Sequence, residues 1–367
     1  MAGRVTVFVM CCVCDPDGMQ LRQTMKLLLV GPKSPPVGGT TVLFDQLCAY
    51  LEGQDGVDLT VINSSPHVVG RTPVAIARFL ARIFAQIRHH DACVLHASCT
   101  SKMPMVMVAV RLASLLFGKP CGFRAFGGSF PVFWQARSAA GRWLLARSVL
   151  RADQVFLETR ESVAFAKGLT TTRVDWFPNS RPVSLPVHSR WGAARRFVFI
   201  SHVKPSKGVL VLLEAAKALK GDDVVIDVYG PLQDGLTEAV FQDSRVTYCG
   251  ELAASAVSDT LRHYDVLLLP TFYPGEGYPG IILEAYAEAM PVITTDWRCI
   301  PEITNDDCAI VVPVQDAQAL REAIEALVND QVYVEELRLG AAKQAKAFSS
   351  DVWGEYFLTR MRALVSR

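Results

Sequence analysis

Short apolar runs alternate along this chain with longer stretches whose apolar positions recur every three or four residues. Lys26–Val30, Asp58–Ile62, Ala92–His96, Cys121–Phe126 and Gln154–Leu157 read as strands of a sheet. The helical period is carried between them by Pro73–Arg88, Pro104–Phe117 and Gly141–Leu150, and by a helix from about Thr40 to Leu51 after the loop Gly31–Gly39. The alternation lapses between Phe177 and Arg190, where Pro178-Asn179-Ser180-Arg181-Pro182 and Pro186 give a linker signature. It restarts with a strand at Phe197–Ser201 and a helix at Val209–Leu219. Further strands follow at Val224–Tyr229, Val246–Cys249, Val266–Leu269, Val292–Thr295 and Ala309–Val312. Strands alternating with helices predict parallel α/β domains. The pattern predicts two in series, residues 25–182 and 183–349, with a cleft at the C-terminal ends of their strands.

Composition agrees and adds an asymmetry. A chain of 367 residues exceeds what one compact core usually holds, and 50% hydrophobic with 20% charged residues is a globular balance. The net charge of +1 gives no sign of a nucleic-acid partner. Its distribution is uneven: residues 1–182 hold 20 Lys+Arg against 11 Asp+Glu, and residues 183–367 hold 17 against 25. A basic first half draws phosphates, whether on a nucleotide, a lipid carrier or a membrane. Ten cysteines include the CxxC pair Cys11 and Cys14, but no second pair has zinc-ligand spacing. Cys93 and Cys121 sit in apolar runs as small hydrophobes, so reduced thiols in a cytoplasmic chain are expected. Residues 1–24 read as a leader outside the fold, because the apolar run Val5–Cys14 is too short to span a bilayer and Asp15-Pro16-Asp17 ends it. Met103–Phe117 is apolar but contains Arg111. Asn63-Ser64-Ser65 spells a glycosylation sequon with no role in a cytoplasmic chain, and Asp222-Asp223 reads as a surface turn.

Three segments carry candidate chemistry. In Pro274-Gly275-Glu276-Gly277-Tyr278-Pro279-Gly280-Ile281-Ile282-Leu283-Glu284, a strand ends in a glycine-rich loop and a helix opens near Gly280. Backbone N–H groups at such a helix start, aided by its dipole, suit a diphosphate. Glu276 on the loop can meet sugar hydroxyls, and Glu284 one turn into the helix can accept from a ribose diol. The second segment, Phe199-Ile200-Ser201-His202-Val203-Lys204-Pro205-Ser206-Lys207-Gly208, delivers Lys207 to a loop at the strand end, where an ammonium can neutralise a departing diphosphate. The third is Gly38-Gly39 after the first strand, whose backbone can approach a phosphate or sugar closely.

Together these segments resemble family 4 glycosyltransferases. The first looks like the family's E-x7-E signature, continuing through Pro291-Val292-Ile293-Thr294-Thr295-Asp296 to Ile300-Pro301-Glu302-Ile303. The second is similar to GR-x-x-x-x-KG, with Lys207 at the lysine but Ser201 and His202 at the glycine and arginine. Phe177-Pro178-Asn179 resembles the iPNG hinge, with Ser180 at the glycine. Lys119–Gly128 aligns with a KPvvvtvHG element, with Phe126 at the histidine, so His96, Arg124, Gly127 and Gly128 are the remaining residues for the acceptor or sugar side. The resemblance implies the GT-B fold, two facing Rossmann-like domains with parallel sheets and an interdomain cleft, with residues 350–367 crossing back onto the first. It implies a metal-independent retaining transferase without a cofactor, which moves a sugar from a nucleotide-diphosphate sugar to a glycan or lipid-linked acceptor. Glu276 and Lys207 would be catalytic. Gly38, Gly39, His202, Lys207, Gly277, Gly280, Ile281, Ile282 and Glu284 would bind the donor. The Asp15-Pro16-Asp17 triplet spells the D-x-D of metal-dependent GT-A transferases but lies in the leader. A nucleotide-sugar 2-epimerase on the same fold, and a non-catalytic sugar-nucleotide-binding relative, remain open alternatives.

Arg71, Arg78, Arg82 and Arg88 recur with Ile76, Phe79, Leu80, Ile83 and Phe84, and Arg137, Arg142, Arg147 and Arg151 recur with Phe133, Trp134, Trp143 and Leu144. Such basic amphipathic segments are either solvated faces over a core stripe or surfaces resting on an anionic membrane at the inner face of the cell.

Overall fold

A computed structural model describes residues 24–183, 192–220, 223–242 and 244–366. The leader read at residues 1–24, with its Cys11–Cys14 pair and Asp15-Pro16-Asp17 triplet, lies outside them apart from residue 24, as does Asp222. Twelve strands are described: β1 (Met25–Gly31), β2 (Val57–Asn63), β3 (Ala92–Ser98), β4 (Cys121–Phe126), β5 (Gln154–Leu157), β6 (Val174–Trp176), β7 (Arg196–Ile200), β8 (Val225–Tyr229), β9 (Val246–Tyr248), β10 (Val266–Leu269), β11 (Val292–Thr295) and β12 (Ala309–Val312). They form two six-stranded parallel sheets, ordered β2-β1-β3-β4-β5-β6 and β12-β11-β10-β7-β8-β9.

The continuous apolar runs follow from sheets covered on both faces. In β1, Leu27 and Leu29 face a core built with Phe44 and Leu47 of helix Gly39–Glu52 and Phe357 and Met361 of helix Ser350–Val365. Leu28 and Val30 face the opposite core, with Ile83 of helix Pro73–Ile87, Met107 and Val110 of helix Met103–Phe117, and Leu145 of helix Ala139–Ser148. The last helix thus completes the first domain although it follows the second in sequence. The outgoing and returning connections run side by side: Arg181 N–H donates to the Phe348 carbonyl (3.0 Å), and Ser350 N–H donates to the Arg181 carbonyl (2.9 Å). The second domain closes around Phe197, Leu267 and Leu269 of the sheet, with Leu213, Ile282, Tyr286, Ile324 and Leu337 from its helices.

Strand order locates the ligand sites. In an open parallel sheet, a crevice forms beyond the strand C-termini where the order reverses. That point lies between β1 and β3 in the first sheet and between β7 and β10 in the second, where Val266 pairs with Phe197.

Candidate functional site

The loops leaving β7 and β10 meet at the reversal point of the second sheet. A short 3-10 turn, Pro205–Lys207, ends at Gly208, whose φ of +84° is left-handed. A Cβ built there would lie 1.9 Å from the Pro270 carbonyl oxygen, so only glycine lets the two loops touch. Phe272 N–H donates to the Ser206 carbonyl (2.8 Å), fixing the loops to each other. Lys207 consequently reaches Glu276: its Nζ lies 2.6 Å from Oε2 and 2.9 Å from Oε1. Thr271 Oγ1 donates to the same Oε2 (2.8 Å). Both side chains of the ion pair are largely buried, at 13% and 8% exposure. The ring of Tyr273 lies beneath the Nζ of Lys204 (3.9 Å) and of Lys207 (5.1 Å), and Trp297 Nε1 holds the Tyr273 carbonyl (2.7 Å). An ammonium has three donors, so the two bonds to one carboxylate leave Lys207 able to serve an anion beside it.

Helix Gly280–Ala287 opens directly after this loop with no side chain capping its N-terminus. Gly280 and Ile281 begin that turn. Ile282 departs from the donor-binding expectation: its amide donates to the Pro279 carbonyl (3.1 Å), and its side chain is fully buried in the domain core. Glu284 faces the linker, where Arg181 Nε donates to its Oε1 (2.8 Å). These two line a pocket of ≈ 290 Å³ between the domains, with Val42 and Gln46 from the first domain and Val257 and Ser258 from the second. The Gln46 side-chain oxygen in this pocket is buried without a hydrogen-bond partner among the described residues. Such a group favours a ligand that completes it. His202 is exposed at the end of β7, and Gly38 and Gly39 are exposed at the start of helix Gly39–Glu52 with open space where a side chain would project.

Across the cleft, two carboxylates exchange places. Glu158, buried just after β5 of the first domain, accepts from Gly127 N–H (2.6 Å) of its own domain and from Tyr278 N–H (3.0 Å) of the second. Burial pushes its carboxyl above the ordinary range, against the pull of those two amides and of Arg124. Glu302 of the second domain accepts from the Arg160 and Glu161 amides (2.6 and 3.1 Å), which start helix Arg160–Lys167 of the first. Asn179 Nδ2 donates to the Tyr278 carbonyl (3.1 Å), and the Tyr278 hydroxyl meets Glu302 and Trp176. Gly128 and Gly277 pack backbone to backbone here: a Cβ on Gly277 would lie 2.8 Å from Gly128 N and 2.7 Å from Glu158 Oε1. The glycines expected to meet sugar or donor therefore spend these faces on domain contact.

Arg124 departs from the expectation of an acceptor-side pair, whereas His96 lines a first-domain pocket of ≈ 280 Å³ with Pro32, Ser98 and Lys102. Both occupy neighbouring register positions on β3 and β4. His96 is fully buried, its ring within 5.0 Å of Phe44 and 5.8 Å of Phe357, and neither ring nitrogen finds a partner among the described residues. Arg124 is stacked on Phe177 (4.3 Å) and Phe126 (4.9 Å). Burial lowers its pKa to about 9 and, with the Arg124 charge, holds the His96 imidazole well below 6.5. His96 is thus neutral when folded. As pH falls below about 6.5, the unfolded chain binds a proton that the folded chain refuses, so stability declines with acidification. We expect the denaturation midpoint to drop less between about pH 7.5 and 5.5 in His96→Leu than in the wild type; parallel pH profiles would contradict this.

Residues 194–330 match the family model described as glycosyl transferases group 1. That match covers most of the second domain. The teichuronic acid biosynthesis glycosyltransferase TuaC of Bacillus subtilis is 26% identical over 234 residues, which cover 60% of this chain and 58% of TuaC. The chain therefore spans less than two thirds of that relative's length. Among solved structures, Anabaena Alr3699/HepE in complex with UDP and glucose superposes with a TM-score of 0.68 at 15% identity, covering 92% of this chain and 100% of that one. A glycosyltransferase from Rickettsia africae gives 0.71 at 14% identity, covering 93% and 99%. These likenesses show the GT-B fold for both domains together. The span matched by the family model contains Lys207, Glu276, Gly280 and Glu284. The site residues that the sequence did not flag are Arg181, Glu158, Thr271 and Tyr273. Glu158 carried one signal, a carboxylate directly after an apolar strand and before the helix cap Thr159.

Proposed function

We propose that this chain is a retaining glycosyltransferase that moves a sugar from a nucleotide-diphosphate sugar to a glycan or lipid-linked acceptor. The observation that carries the proposal is the buried Lys207–Glu276 pair, held by Thr271 beside the uncapped start of helix Gly280–Ala287. The reading is supported by the group 1 match over this domain, by TuaC and other relatives named for polysaccharide biosynthesis, and by the UDP and glucose of the HepE complex. In this reading the amides of Gly280 and Ile281 and the Lys207 ammonium receive the diphosphate. Charge grows on that diphosphate as the glycosidic bond to the sugar breaks, so fixed donors there act mainly in the transition state. Glu276 orients the sugar through its hydroxyls, and Glu284 accepts from the ribose diol. The acceptor hydroxyl attacks from the same face as the departing diphosphate, which takes its proton, and retention follows. Incubation with UDP-, GDP-, ADP- and dTDP-sugars tests the activity class: release of nucleoside diphosphate with an α-linked product from an α-donor supports it, and release with none of the four counts against it.

We further propose that the first domain rests on an anionic membrane. Helices Pro73–Ile87 and Met103–Phe117 contain no acidic residue, and Arg78, Arg82 and Arg88 are exposed. Leu112 and Leu116, one turn apart, are 58% and 65% exposed, and Trp143 of helix Ala139–Ser148 is 59% exposed. A groove of ≈ 560 Å³ between the two helices is lined by Leu80, Phe84, Ala109, Leu112 and Phe117, with Arg88 at its rim. Apolar groups ringed by cations suit the headgroup boundary of an anionic leaflet, each nearby cation adding about 1 kcal/mol. No helix among the described residues is long and apolar enough to cross a membrane. The protein is expected to sediment with phosphatidylglycerol vesicles but not with phosphatidylcholine ones, and Leu112→Asp/Leu116→Asp should weaken sedimentation by about tenfold or more. Equal sedimentation of variant and wild type would contradict the proposal.

A further inference from the structure

His202 stands where the resemblance calls for arginine and is exposed at the strand end, while Lys204 and Lys207 lie over the Tyr273 ring on one side of the helix start. A guanidinium lies at the other side of the helix start. Arg181 is 6% exposed, and three observations fix its head. Its Nε donates to Glu284 Oε1 (2.8 Å), and its Nη1 donates to the Ser180 carbonyl (2.9 Å). Its Nη2 lies so close to Gly280 that a Cβ on that residue would come within 2.2 Å of it. A side chain at position 280 would therefore push the Arg181 head aside. No hydrogen bond to Nη2 is found among the described residues.

We infer that Arg181 is a further donor-side cation, which holds Glu284 through Nε and presents Nη2 to the diphosphate at the start of helix Gly280–Ala287. The inference rests on the reading of this cleft as a nucleotide-diphosphate-sugar site. The planar fork suits the task, since one edge can keep a carboxylate while the remaining N–H groups serve a phosphate. Glu284 Oε2 has no hydrogen-bond partner among the described residues and stays available to a ribose hydroxyl. Arg181 also links the site to both interdomain connections, because its own backbone bonds to Phe348 and Ser350 where the chain crosses back. In sequence Arg181 stands in the hinge segment, 103 residues from its partner carboxylate.

Calorimetric titration of the full chain with UDP and with uridine tests the assignment, with GDP/guanosine and ADP/adenosine as replacement pairs. Arg181→Gln should lower affinity for the diphosphate by about tenfold or more beyond its effect on the nucleoside, and Arg181→Lys, which keeps the charge without the fork, should fall between. Glu284→Gln should weaken both ligands alike. A merely structural arginine would change diphosphate and nucleoside in parallel, and that result, or an unchanged ratio in Arg181→Lys should Arg181→Gln not fold, overturns the inference. A wild-type protein that binds none of the three diphosphates overturns the donor-site reading beneath it, which separates the two failures.

Discussion

Replacing Lys207 by alanine is expected to reduce sugar transfer by about 10²–10³-fold, the usual effect of deleting one preorganised donor to a developing oxyanion. The same change strips a buried carboxylate of its counter-ion. Glu276 is 8% exposed at its side chain and would keep only the Thr271 hydroxyl, and losing one partner of a buried pair costs about 3–5 kcal/mol. Activity and stability would therefore fall together, and a second variant separates them. In Lys207→Ala/Glu276→Gln no uncompensated charge remains, so the chemical-denaturation midpoint should recover towards the wild type while transfer stays lost. A double variant with recovered transfer would mean that the pair is structural. Neither variant touches the Glu158 and Glu302 contacts, so closure of the domains is not at stake in this comparison.

Gly208→Ala should be the most damaging single methyl in the second domain that also bears on the site. The position combines a left-handed φ of +84° with backbone rather than side-chain crowding, because the added carbon would sit 1.9 Å from the Pro270 oxygen and 2.6 Å from its carbonyl carbon. A flexible side chain could move aside; the end of β10 cannot without shifting Thr271, which holds Glu276. Strained φ and forced loop displacement together amount to about 2–4 kcal/mol. Urea denaturation followed by the second domain's aromatic fluorescence should show that loss, and any folded fraction should transfer poorly because Lys207 is displaced. Gly38→Ala is the contrasting control: nothing lies within 4 Å of a Cβ there, and its stability should change by no more than about 1 kcal/mol. Equal stability of the Gly208 and Gly38 variants would contradict the account of the loop.

The elements were legible where local pattern decides them. Eleven of the twelve strands were expected within a residue or two at each end, because each is an apolar run bounded by polar or glycine-rich segments. The exception is β6, whose three residues Val174-Asp175-Trp176 carry a carboxylate at the centre; Arg360 of the last helix pairs with it (2.9 Å) and so makes the strand tolerable. The donor-side loops were legible too, since Lys207 and Glu276 each lie at the end of a recognisable strand. What the pattern could not convey was which partner comes from far along the chain. Arg181 meets Glu284, and Glu158 meets Tyr278 120 residues later. His96 shows a different limit. In a sheet covered on both faces every position is apolar, so alternation does not reveal that Leu95 faces one core while the His96 ring enters the aromatic cluster on the other.

A crystal structure of the full chain with the nucleoside diphosphate that stabilises it most tests the central claim directly. The account predicts the terminal phosphate within about 3.2 Å of Lys207 Nζ and of the Gly280 or Ile281 amide, with the ribose against Glu284. A nucleotide lodged away from the β7–β10 crevice, with the Lys207–Glu276 pair left unapproached, would contradict it.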